Sequence, residues 1–152
     1  VKDNKELVRL YFEAFNTEHV EILDEILDSG FRVRGLHMKS EDISNDQRGP
    51  DFFKKALIAS HDSFPDGHIT IDEMVAEGDK VMVRWTFEGT HAGEFAGIRA
   101  TNRRITYSGI NGFHVVAGKL ASAWDMWDRL NLWQQLGVLP ETAEFLAKTR
   151  NT

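Results

Sequence analysis

Asp125 lies in the run Ala121-Ser122-Ala123-Trp124-Asp125-Met126-Trp127-Asp128, among small and aromatic residues. A carboxylate drawn out of water by such neighbours has its pKa raised and becomes a better base near neutrality. The preceding run, Tyr107-Ser108-Gly109-Ile110-Asn111-Gly112-Phe113, offers an amide. Both runs read as strands. A three-residue loop, Ala117-Gly118-Lys119 with Gly118 left-handed, would set Val116 opposite Leu120 and Asn111 opposite Asp125. Opposed residues project from the same face, roughly 5 Å apart at Cβ. Alternation then gathers Tyr107, Gly109, Asn111 and Phe113 on one face with Ala121, Ala123, Asp125 and Trp127. The chemistry open to this pair is proton transfer. Asp125 would move the proton, and Asn111 would hold a carbonyl or enolate oxygen through its amide N–H. A structural, hydrogen-bonded Asp beside a sheet Asn is the other reading of the same two residues.

Other polar residues compete for attention. Asp128 faces away from Asp125 by alternation and suits the cap of a following helix at Leu130–Leu136. His114 reads as a solvated histidine before the turn. His91 stands in Gly89-Thr90-His91-Ala92-Gly93. It can donate to a ligand or hold the loop by a backbone bond. His61 can reach a ligand or be a buried, satisfied side chain. No two histidines show metal-ligand spacing on one element, so no metal site is expected. The absence of cysteine removes thiol nucleophiles, disulfides and thiolate metal sites together. There is no strand–turn–helix G-x-G-x-x-G unit and no P-loop, so dinucleotides and nucleoside triphosphates are not implied.

These residues need elements to position them. Leu7, Leu10, Tyr11, Ala14 and Phe15 recur at helical spacing, as do Val20, Leu23, Ile26 and Leu27. Phe31–Leu36 alternates as a short strand. Gly49-Pro50-Asp51 opens a third helix carrying Phe52, Phe53, Ala56, Leu57 and His61. From His68 the period becomes two, and Val81, Val83, Trp85 and Phe87 mark a half-buried strand. Two long strands follow, about 104–116 and 120–128, then a short segment and a last helix after Pro140. Helices first and strands later indicate an α+β fold, with an antiparallel strand run joined by short connections. Tyr11, Phe12, Phe53, Ala56 and Leu57 on the covering helices, with Trp85, Tyr107 and Trp127 from the sheet, are candidate pocket walls. Aromatic stripes at such spacings serve a core more often than a ligand.

The 152 residues suit one domain spanning 1–152. A net charge of -6 without a basic stripe speaks against nucleic acid and acidic membrane surfaces as partners. No apolar run approaches the ~18 residues of a membrane span. Val1-Lys2-Asp3-Asn4-Lys5 lacks the apolar stretch of a signal peptide, so a cytoplasmic location is expected.

Gly89-Thr90-His91-Ala92-Gly93-Glu94-Phe95-Ala96-Gly97-Ile98 resembles the G-T-H-x-G-x-x-x-G-I loop of SnoaL-like polyketide cyclases, within the nuclear transport factor 2-like superfamily. Phe15-Asn16-Thr17, Phe64-Pro65-Asp66, Ala76–Val81, Asn102–Ile105 and Gln134-Gln135-Leu136-Gly137 fit the same family, from about Glu6 to Gly137. The resemblance implies a cone-shaped, strongly curved antiparallel sheet around a pocket, covered by N-terminal helices. It also implies a polycyclic aromatic polyketide substrate, closure of a ring by intramolecular aldol addition, and no metal or cofactor. Members are commonly dimers or tetramers. A sheet apolar on one side and aromatic-rich on the other needs cover as well, so a homodimer or homotetramer is expected. Carried over, the family aspartate falls on Asp125, its His on Asn111 and its Gln on Gly109; Phe15 takes a position that contacts substrate. The missing His and Gln leave two alternatives beside cyclisation. One is a cofactor-free hydroxylase component, and the other is a non-catalytic module that binds hydrophobic ligands.

Overall fold

The computed structural model describes residues 2–35 and 47–150. Helix α1 (Asn4–Thr17) starts at Asp3, whose carboxylate accepts the Glu6 N–H at 2.7 Å. That bond satisfies one of the donors a helix start leaves bare. Leu7, Val8, Phe12, Ala14 and Phe15 form its buried face, which packs over β2, β3 and β5. A short helix α2 (Ile22–Ile26) follows, buried through Leu23 and Ile26. Helix α3 (Gly49–Ser63) begins with Pro50 in its first turn, where a missing N–H costs nothing. It stops at Phe64, which precedes Pro65 and leaves the helical region.

The sheet contains β1 (Val33–Gly35), β2 (His68–Glu77), β3 (Lys80–Thr90), β4 (Arg104–Val116) and β5 (Lys119–Trp127), in spatial order β1-β5-β4-β3-β2. Four strands pair antiparallel as expected, and β1 joins β5 in parallel. The sheet is therefore mixed. Strands β1 and β2 are its two edges, so it is not closed into a barrel. The expected Leu36, together with His37, lies outside the described residues. Helix α4 (Arg129–Gln135) packs back on β4, and α5 (Thr142–Arg150) is exposed throughout. No helix among the described residues is long and apolar enough to cross a membrane.

The turn between β4 and β5 differs from expectation. It has two residues, Ala117 and Gly118, both left-handed at φ 49° and 73°. Val116 pairs with Lys119 and Val115 with Leu120. Two left-handed residues match the twist of a hairpin, which favours this tight turn. A bulge then shifts the register, so that His114 faces Ser122 and Ala121 has no partner on β4. The bulge turns Leu120 into the core, where it is fully buried.

Much of the family-like sequence stitches backbone to backbone. The Asn16 amide donates to the Ile69 carbonyl at 2.7 Å and accepts the Ile69 N–H at 2.8 Å, extending the β2 edge with a side chain. Gln135 does the same at Thr106, donating at 2.7 Å and accepting at 2.9 Å. His91 Nδ1 accepts the Thr101 N–H at 3.2 Å. An amide N–H can only donate, so the ring proton sits on Nε2, which is buried with no hydrogen-bond partner among the described residues. At Gly93 an added Cβ would meet the Asp62 carbonyl oxygen at 2.1 Å. The loop can therefore lie against the end of α3 only as glycine.

Asp66 accepts the Thr90 N–H at 2.6 Å and the Thr90 hydroxyl at 2.7 Å. The backbone bond first, then the hydroxyl, holds its carboxyl below the usual carboxylate range. A depressed folded pKa gives stability that is present above the unfolded value near 4 and is lost as pH falls through the folded one. Asp66→Asn is expected to lower stability at pH 7 by a few tenths to about 1 kcal/mol, solvent screening keeping the effect small. It should also flatten the acid limb. Urea unfolding at pH 7 and pH 3 checks this, and a variant that loses stability equally at both would refute it.

Candidate active site

Asn111 and Asp125 are directly opposed across β4 and β5. The sequence-derived pairing thus holds, although the tight turn and the bulge produce it together. Asp125 also pairs in register with Gly35 of β1 on its other side. A glycine there leaves room beside the carboxylate. Asp125 is half-buried and Asn111 is buried.

One contact fixes the Asn111 amide. Trp85 Nε1 donates to Asn111 Oδ1 at 2.7 Å in a buried setting. An indole N–H has no acceptor role, so the Asn111 oxygen must face it. The amide N–H₂ is left as the end that can donate elsewhere. Trp85 reaches this position across Gly109, where an added Cβ would stand 2.4 Å from its Cζ2 and 2.8 Å from the Trp127 Cβ. Gly109 and Asn111 therefore belong to one arrangement around Trp85. The Trp85 ring occupies the space above residue 109, and its N–H takes the oxygen at 111.

Two phenols stand close by. Burial first, and the negative charge of Asp125 second, push the Tyr11 phenol far above its ordinary value. Tyr11 is thus a neutral hydroxyl within the field of the carboxylate. Burial pushes Tyr107 up to about 12, so it too keeps its proton.

Asp125 opens into a pocket of about 290 Å³ lined by Val33, Gly35, Gln47, Phe52, Phe53 and Arg129. That is the small end of the range for ligand sites. Of the aromatic wall expected from sequence, Phe53 lines it. Phe12 and Phe15 are buried in the core, Phe15 stacking on His61 with ring centres 4.8 Å apart. His61 Nε2 bonds the Phe15 carbonyl and ties α3 to α1. Leu57 packs against the core from α3. Ala56 is exposed, because α3 turns Phe53 and Leu57 inward and carries residue 56 to the solvent side. Trp85 orients Asn111. The Tyr107 and Trp127 rings meet at a tilt, with centres 5.4 Å apart. His91 is fully buried in its loop. Asp128 caps α4 by accepting the Asn131 N–H at 3.1 Å. His114 bonds Asp79 at 2.7 Å on the sheet's outer side.

Sequence reasoning missed Arg129, Gln47, Phe52, Val33 and Gly35. The parallel pairing of β1 brings Val33 and Gly35 to the site, and no local pattern announces it. Arg129 could have been found as the first residue beyond the strand that carries Asp125.

A larger concavity lies elsewhere, about 1070 Å³ on the outer face, lined by residues including Arg34, Glu77, Lys80, Met82, Gly112 and Trp124. Of its charged lining, His114 and Lys80 are each paired with the adjacent Asp79. Its floor is the flat Trp124 ring lying over Gly112. It holds no carboxylate–amide pair, so size alone does not make it the reactive site.

The fold is an open α+β sheet under N-terminal helices, with a carboxylate opposed to an oriented amide. The chain belongs to the SnoaL-like polyketide cyclase family, whose model matches residues 5–136. It is 28% identical over 133 residues to an aklanonic acid methyl ester cyclase of Streptomyces peucetius, covering 87% of this chain and 89% of that one. Among solved structures, TsrD from Streptomyces laurentii superposes with a TM-score of 0.77 at 30% identity, covering 91% of this chain and 100% of the other. IdmH from Streptomyces antibioticus, a candidate polyketide cyclase, gives 0.73 at 26% identity, covering 90% and 100%.

Proposed function

We propose that the protein is an acid–base enzyme that closes a ring in a polycyclic aromatic polyketide-type substrate by intramolecular aldol addition, with side chains alone moving the proton. The observation that carries this reading is the Asn111–Asp125 opposition at a pocket wall, with Trp85 holding the amide. Asp125 takes an acidic proton from a carbon beside a carbonyl. The C–H electron pair moves to the carbonyl oxygen as an enolate, delocalised into the aromatic system. The enolate carbon adds to a second carbonyl of the same molecule, and the alkoxide so formed recovers the proton from Asp125. Asn111 donates its amide N–H to an oxygen of the reacting system. Tyr11, neutral beside the carboxylate, is a second donor.

The test is conversion of aklanonic acid methyl ester, the compound named for the relative, by the purified protein alone without oxygen or reductant. Ring-closed product supports the reading. Conversion that requires oxygen and a reductant would replace it with hydroxylation, and saturable binding without conversion would reduce the protein to a binding module.

The reading includes a homodimer formed through the outer sheet face. Val75, Met82, Ile110 and Met126 are each 40–59% exposed there, and apolar side chains grouped on one exposed face mark interaction sites. Toward β2 the face carries Asp72, Glu73 and Glu77, the first two paired with Arg84 of β3, and on β1 it carries Arg34. Central strand β4 lies between these edges. A two-fold axis along β4 would set the β1 edge of one copy, with Arg34, over the β2 edge of the other, with Glu77. Met126→Glu is expected to convert the dimer to monomer in light scattering. A wild type that is monomeric at high concentration, or a variant that stays dimeric, would refute this arrangement.

A further inference from the structure

Arg129 borders the Asp125 pocket and is exposed at its mouth. Its guanidinium carbon lies 4.6 Å above the centre of the Trp127 ring, a distance at which the ring face attracts and orients the cation. Among the described residues its partner is a ring, not a carboxylate. The neighbouring carboxylate, Asp128, is engaged with the Asn131 N–H. Arg keeps its charge at every working pH, so it can neither supply nor accept a proton. What it can supply is a fixed positive charge with planar N–H donors, held still by stacking. The pocket itself is small, about 290 Å³, so a polycyclic ligand must extend past its mouth, where Arg129 stands. The chemistry at Asp125 makes an anionic oxygen from a neutral carbonyl, and a preset cation beside such an oxygen stabilises the charge as it forms.

We propose that Arg129 is the anion-recognising residue of this pocket, binding the substrate oxygen that becomes negatively charged when Asp125 removes the proton. This rests on the acid–base reading above and goes beyond it by assigning the charge-stabilising group. The electron pair released from the C–H bond comes to rest on that oxygen, the proton on Asp125, and Arg129 keeps its own protons throughout. An arginine here offsets the family histidine that this chain lacks, by charge and not by proton exchange.

The probe is alizarin, a hydroxyanthraquinone whose phenol changes colour on ionising. Bound to the full chain, it should ionise at lower pH than when bound to Arg129→Gln, by about one unit or more. Arg129→Lys should lie between, because the charge is kept and the planar fork is lost. Arg129 is exposed, so these variants should fold. Circular dichroism checks that, and a merely structural role would not move the colour change. If wild type and Arg129→Gln both bind the dye and it ionises at the same pH in each, or at lower pH in the variant, the assignment of Arg129 fails while the aromatic site survives. If the wild type shows no saturable dye binding, the assignment and the function reading fail together.

Discussion

Asp125→Asn is expected to lower turnover by at least about 10²–10⁴-fold, the usual worth of a positioned acid–base group. The substitution keeps the side chain's size and its capacity to accept hydrogen bonds but removes the site that takes the proton. Asp125 is half-buried at a pocket wall, outside the core cluster, so the fold should survive. Circular dichroism and the urea midpoint should stay close to wild type while the rate collapses. Asp125→Glu is the sharper companion. It retains a carboxylate and displaces it by one methylene, so part of the rate should return if geometry and basicity both count. Binding of an aromatic ligand should persist in the Asn variant, because Phe52, Phe53 and Val33 supply the apolar walls. An Asn variant that turns over at the wild-type rate would remove Asp125 from the mechanism, and with it the reason for calling this pocket an active site.

The frame of the site was legible because periodicity and turn chemistry report it. The alternation from Val81 to Phe87 marks a strand with one buried face, and that strand is β3. The Asn111–Asp125 opposition was also legible, though the turn behind it was not. A three-residue loop and a two-residue turn with a bulge give the same register at residue 111, so the sequence could not tell them apart. The parallel placement of β1 was hidden, since three residues have no pattern that reveals a partner ninety positions on. That placement supplies part of the pocket, and so the lining was misjudged. Aromatic residues looked like walls because core and pocket draw on the same residue types. Only packing separates Phe53, which meets the cavity, from Phe12 and Phe15, which are closed off. The family-like motif residues proved equally instructive. Asn16, Asp66, His91 and Gln135 each hold a neighbouring segment through its backbone N–H or carbonyl. Such residues resemble functional ones in a sequence, because replacing any of them leaves a backbone group without its partner.

Trp85, Gly109 and Asn111 should behave as a unit in a double-mutant cycle. Trp85→Phe leaves the buried Asn111 oxygen without its donor, which is expected to cost about 1–3 kcal/mol. It also opens space above Gly109. Gly109→Ala alone forces a methyl toward ring atoms of Trp85 that would stand 2.4 Å away, and overpacking of this kind costs typically about 1–3 kcal/mol or more. In the double variant the smaller Phe ring no longer fills that space, so the alanine methyl is accommodated. The pair should therefore be less destabilised than the sum of the singles, with a coupling of about 0.5–3 kcal/mol by urea unfolding. Activity should follow the amide: Trp85→Phe frees Asn111 to rotate and should lower kcat more than it raises KM, since the N–H is required most when the oxygen is charged. A family-like Gln at position 109 has no room while Trp85 is present, so Gly109→Gln should be tolerated only together with a smaller residue at 85. Strict additivity between positions 85 and 109 would show the two to be independent, and Asn111 would then be held in place by something other than the indole.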